Sequence, residues 1–237
     1  MYKLVIIVNF ISCLCFAQNI KQELLNINKA FLKNTNIGII STTKAFVNGE
    51  SKTHSETKME VYKWNNNSLT RYENTEVMVN TNYKINVNDK NKIITINKIN
   101  PKIKNDKESI SKFNDNAFYQ AIDTVLSVYK EVKINKINEF TNEIVFVFKS
   151  GMYDKVSVSY DRATYFIKTY RVALNANNVS IKKQKVTNYD ITNVYLSNDV
   201  LKKIKFDEKQ YVTITNENIV PSKKYSGFTI INNIKKG

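Results

Sequence analysis

The sequence predicts an α+β domain: one large, strongly curved antiparallel sheet with helices packed on one side of it. Three observations carry this. Apolar residues recur at helical spacing in two segments, 18–33 and 115–132. Between and after them, runs of residues alternate apolar and polar side chains with period two, the mark of strands with one buried and one wet face. Finally, the 237 residues include only two prolines and five glycines, and no Pro/Gly/Ser-rich linker interrupts them.

In the first helix, Ile20, Leu24, Ile27 and Phe31 form the stripe, Leu25 and Leu32 widen it, and Asn34-Thr35-Asn36 ends it. A strand over 37–47 follows. Asn48-Gly49 suits a tight hairpin turn, where both central residues need positive φ. The return strand covers 52–64 with Met59 and Val61 on one face, and Asn65-Asn66-Asn67 turns the chain into a short strand over 69–73. Residues 77–88 read as one longer strand, with Val77, Val79, Tyr83, Ile85 and Val87 set against Lys84, Asn86 and Asn88. Asp89-Lys90-Asn91 leads into 92–99, and the polar stretch 101–112 reads as a loop. Asn114 or Asp115 caps the second helix, whose face is Phe118, Ile122, Val125, Leu126 and Tyr129, ending near Val132. Strands are expected over 133–137, 143–149, 155–160, 165–174 and 180–194, with turns at Ser150-Gly151 and Asp161-Arg162. Short apolar segments at 201–206 and 211–215 precede a polar tail.

Residues 1–17 have the layout of a secretory signal peptide. Lys3 supplies the positive start, Leu4 to Phe16 the apolar core, and Cys15 and Ala17 the small residues before a cut at Gln18. Residues 18–237 are then a single exported domain, most simply periplasmic, with release into the medium or a lipid anchor as the alternatives. Phe10-Ile11-Ser12-Cys13 loosely resembles a lipobox, although Phe is unusual at its place in that motif. Both cysteines, Cys13 and Cys15, lie in the leader, so the mature chain has no disulfide and relies on its core.

The formal charge is +15. Such a balance attracts anionic surfaces, which outside the inner membrane are phospholipid head groups, lipopolysaccharide or extracellular nucleic acid. The lysines are scattered among Asn and Ile without a block of five or six, so a compositional origin stands beside a selected binding surface. No DNA- or RNA-binding motif is present, and no specific nucleic-acid partner is expected.

Catalytic chemistry has no visible carrier. No catalytic residue, metal ligand set or cofactor is assigned, and no enzyme activity is expected. One histidine, His54, sits in a polar strand and reads as solvated. Asp161 suits a turn residue bonding its own backbone. No nucleophile elbow, phosphate-binding loop or dinucleotide fingerprint occurs. The aromatics on strands are the richer signal. Trp64, Tyr83, Phe146, Phe148 and Phe166 are candidates to line an apolar cavity, with plain core filling as the other reading.

The order of elements resembles the periplasmic outer-membrane lipoprotein-carrier (lipoprotein-sorting) superfamily: helix, several long antiparallel strands, a second helix, then returning strands. The stretch from Val156 to Ile167, with Tyr160-Asp161 closing one strand, looks like that family's strand–turn–strand, and Lys185 to Ile191 like its next strand. The resemblance implies an incomplete β-barrel with helices on its concave side. It also implies non-catalytic carriage of acyl chains, of a lipoprotein or a lipid, with rim lysines such as Lys84, Lys149 and Lys168 near anionic head groups. The alternative is an exported envelope or secretion-machinery interaction protein that uses the same fold as a scaffold without ligand. Protein recovered from the cytosol with an intact leader would overturn the export reading.

Overall fold

The computed structural model describes residues 20–47, 52–99, 126–178, 186–215 and 218–234. The leader, the Asn48-Gly49 turn and most of the second predicted helix lie outside these residues. Helix α1 covers residues 20–33. The strands are β1 (Ile37–Val47), β2 (Thr53–Trp64), β3 (Asn67–Tyr72), β4 (Thr75–Val79), β5 (Tyr83–Asn88), β6 (Ile93–Lys98), β7 (Tyr129–Lys136), β8 (Thr141–Phe148), β9 (Tyr153–Asp161), β10 (Ile167–Leu174) and β11 (Val186–Tyr195). A short helix α2 (Asn198–Leu201) precedes β12 (Val212–Ile214), β13 (Ile219–Pro221) and β14 (Thr229–Asn232). The protein is mostly β. Twelve strands join in the order β14-β6-β5-β4-β3-β2-β1-β11-β10-β9-β8-β7, and the sheet does not close. The large, mostly antiparallel sheet is as the sequence predicts; β14 runs parallel to β6.

Packing divides the chain into two compact units, with β1, β2 and β11 contributing residues to both. One unit contains β3–β6, α2 and β12–β14. Its core follows from alternation: Tyr62, Leu69, Met78, Ile85 and Ile96 are successive cross-strand partners and form one apolar row. The C-terminal segment covers that row with Leu201, Tyr211, Val212 and Tyr225. Beside it runs a polar row, Glu60–Arg71–Glu76, also in cross-strand register. Arg71 Nε donates to Glu76 at 2.8 Å, and the Tyr211 hydroxyl donates to the same carboxylate. Tyr62 donates to Glu60 at 2.8 Å; burial, then this bond, pushes its phenol up to about 12.

Three elements differ from expectation. The strand predicted over 77–88 is two strands, because Asn80 makes a turn. Its side chain accepts from Asn82 N and Tyr83 N, both at 2.8 Å. The turn reverses the chain so that Met78, not Val77 or Val79, shares the core face with Ile85. The second helix does not reach Val132: residues 126 and 127 are helical, and β7 begins at Tyr129. A register shift between Tyr129 and Glu131 keeps Tyr129 on the face of Val132 and Ile134, and three-residue spacing there mimics a helix. The polar tail is ordered into β13 and β14, where Ile230 pairs with Ile94.

Gly38 on β1 is required by close approach. A Cβ there would stand 2.5 Å from Leu201 Cδ2 and 3.1 Å from Leu196 Cβ. Gly38→Ala is therefore expected to cost about 1–3 kcal/mol in chemical denaturation through overpacking. Leu201→Ala alone is expected to cost about 2–5 kcal/mol, and the double variant less than the sum, since the smaller residue makes the room. Additive losses would contradict the contact.

Candidate functional site

The other unit holds α1, β7–β10 and most of β11. One face of its strands is apolar: Val132, Phe146, Val156 and Val172 form one cross-strand row, and Ile134, Ile144, Val158 and Tyr170 the next. Helix α1 lays Leu24 and Ile27 on this face, as its stripe predicts. A hydrogen bond sets the helix in place: the buried Tyr160 hydroxyl donates to Glu23. Burial, then that bond, pushes the Tyr160 phenol up, so it remains a donor.

Away from Tyr160 the face becomes an aromatic floor. Tyr129 lies 4.9 Å from Phe146 and 4.7 Å from Phe148, ring centre to ring centre, and Phe148 lies 5.6 Å from Tyr153. Tyr170 packs on the same cluster, and burial raises its phenol and that of Tyr129. The floor is only partly buried at Tyr129 and Phe148, and Tyr153 is exposed. Beside it, Lys149 donates to Ser127 O at 2.8 Å. These side chains offer apolar contact area edged by hydroxyls and a cation, with no paired acid and base.

Of the five predicted lining residues, Phe146 and Phe148 meet here. Trp64 and Tyr83 instead pack against the core of the other unit. Phe166 is half-buried at the β9–β10 turn, where its carbonyl accepts from Asp161 N at 2.9 Å. Tyr129, which the sequence reading assigned to a helix, and Tyr153 join the same ring cluster. Alternation of Val132 with Ile134 was the available signal. Lys84 is exposed, whereas Lys168 is held by Asp161 at 3.0 Å and Thr141 at 3.2 Å.

The opposite face of β8–β11 is polar and carries a depression of about 330 Å³ lined by Glu143, Lys155, Ser157, Arg171, Asn188 and Asp190. Cations and carboxylates balance across it, and Arg171 meets Asp190 at 3.8 Å. His54 is exposed on β2. Among the described residues no group of three or more His, Cys, Asp or Glu could hold a metal ion, and no helix is long and apolar enough to cross a membrane.

No protein-family model matches the chain, and no curated protein sequence matches it. Solved structures similar to it include an uncharacterized conserved protein from Thermus thermophilus, at 10% identity and TM-score 0.40 over 90% of this chain and 99% of that one. The lipoprotein LppX from Mycobacterium tuberculosis is similar at 10% identity and TM-score 0.39, over 80% and 99%. A LolA superfamily protein from Nitrosomonas europaea is similar at 9% identity and TM-score 0.28, over 79% and 98%.

Asp161 organises the β9–β10 turn, accepting from Ala163 N and Thr164 N, both at 3.0 Å. The Lys168 ammonium foremost, then the Thr164 amide, lowers its carboxyl from 3.8 to about 2. A lowered folded-state pKa stabilises above the ordinary carboxylate range, and that stabilisation is lost as pH falls from about 4 through about 2. In Lys168→Met, the Asp161 titration followed by NMR is expected to move up towards its ordinary value. An unmoved midpoint would exclude Lys168 as the cause.

Proposed function

We propose that this chain is an exported, non-catalytic carrier that holds acyl chains of a lipoprotein or lipid, with its leader removed before Gln18 and the periplasm as its compartment. The observation that carries the reading is the amphipathic α1 packed on the same apolar strand core as an aromatic cluster, buried at Phe146 and half-buried at Tyr129, Phe148 and Tyr170. An acyl chain leaving water gains about 0.8 kcal/mol per buried CH₂, so apolar surface is sufficient for affinity without a reacting group. On this reading the helices lie on the concave side of a curved sheet, and acyl chains slide between α1 and the floor. Lys149 at the edge of the floor suits an anionic head group. The element order that resembles the lipoprotein carriers supports the same reading.

Purification from the envelope fraction followed by organic extraction and mass spectrometry is expected to yield co-purified lipid, and a fluorescent fatty acid should bind the emptied protein. Phe148→Lys should abolish probe binding with an unchanged circular dichroism spectrum, because an ammonium would meet the ligand's hydrocarbon. Absence of lipid together with no probe uptake by the parent protein would reject the carrier and leave the ligand-free envelope or secretion scaffold.

A further inference from the structure

The end of the α1 unit formed by the β7–β8 and β9–β10 turns displays two large apolar side chains that no described residue covers. Phe140 is 70% exposed and Ile137 is 55% exposed. The turns beneath them are tightly made. Ile137 N and Asn138 N both donate to Thr141 O, at 3.0 and 3.2 Å, and Phe140 N donates to Asn138 Oδ1 at 2.9 Å. Arg162 N donates to Phe140 O at 2.9 Å, and its guanidinium Nη1 to Glu139 O at 3.1 Å, fastening one turn to the other. Ile137, Glu139 and Phe140 enter these bonds through backbone atoms alone. Any residue would supply them, so the turn has no need of a benzyl or sec-butyl side chain.

The polar setting is cationic on balance. Lys136 and Arg162 are exposed beside the two apolar residues, and neither is paired with a carboxylate among the described residues. Glu139 is the one unpaired acid of the tip, since Asp161 is engaged by Lys168. Rigidly presented apolar side chains flanked by exposed cations that no described carboxylate pairs, on a chain of formal charge +15, match the interface of an anionic bilayer: hydrocarbon below, phosphates at the level of the basic groups.

We propose that this tip docks on anionic phospholipid bilayers, inserting Phe140 and Ile137 below the head groups while Lys136 and Arg162 contact the phosphates. The inference goes beyond the carrier reading and does not depend on it, because the tip residues are separate from the aromatic floor.

The test is co-sedimentation of the purified chain with vesicles of phosphatidylcholine, alone or mixed with an equal part of phosphatidylglycerol. The parent protein should sediment with the mixed vesicles and be released by high salt. Phe140→Asp should weaken partitioning at least about tenfold, the loss of one inserted aromatic. Lys136→Glu should weaken binding to mixed vesicles but not to neutral ones. Val194→Asp, at another apolar position of 55% exposure, should bind as the parent does, and every variant should keep its circular dichroism spectrum. Failure of the parent protein to sediment with the mixed vesicles would overturn the proposal. So would undiminished binding by Phe140→Asp, or an equal loss in Val194→Asp, which would mean general stickiness.

Discussion

A buried tyrosine hydroxyl must find an acceptor, and twice among the described residues that acceptor is a glutamate brought from a distant segment. Tyr160 reaches Glu23 on α1, and Tyr211 reaches Glu76 on β4. Each tyrosine is stacked on a second one, Tyr165 and Tyr225, with near-parallel rings 5.9 and 5.7 Å apart. Losing the acceptor would leave a polar group in an apolar surround, at about 1–3 kcal/mol. Each sheet face thus accepts its covering segment in one position. The hydrophobic effect alone would let α1 or the C-terminal segment slide; the hydroxyl–carboxylate bond sets the register. The raised phenol pKa values have the same cause, burial first and the carboxylate second.

That constraint positions the candidate site. With Glu23 fastened at Tyr160, Leu24 and Ile27 pack on the strand core that Tyr129, Phe148 and Tyr170 share, and the aromatic cluster reaches the exposed Tyr153. Rings placed 4.7–5.6 Å apart fill space well yet leave apolar edges available to a ligand. The wet face of the same strands is neutralised by its own charges, so the two faces have opposite chemistry.

Charge is handled locally in each unit. Glu60 and Glu76 are spent on Arg71 and two tyrosines, and Asp161 on a turn and Lys168. Carboxylates used inside the fold leave much of the lysine surplus facing solvent. The basic character visible in the composition is therefore expressed at the surface, where it acts on association rather than on folding.

Period-two alternation made β5 and β6 legible from the chain alone, because a strand with one buried face must write that face into its sequence, whereas in β2 the face of Met59 and Val61 proved the outer one and Tyr62 the buried residue. Helix α1 was legible for the corresponding reason at helical spacing. Where two periodicities coincide, sequence could not decide: Leu126, Tyr129 and Val132 fit a helix, and only pairing with β8 and the shift at Tyr129 made the last part a strand. The Asn80 turn was hidden among neighbours that alternate correctly on both sides of it. Sorting of the aromatics was beyond any local pattern. Trp64 and Tyr83 look like Phe146 and Phe148 in one dimension, yet they serve different cores. Alternation reports that a side chain is buried; which core receives it depends on strand order, and that is set by contacts between residues far apart in the chain.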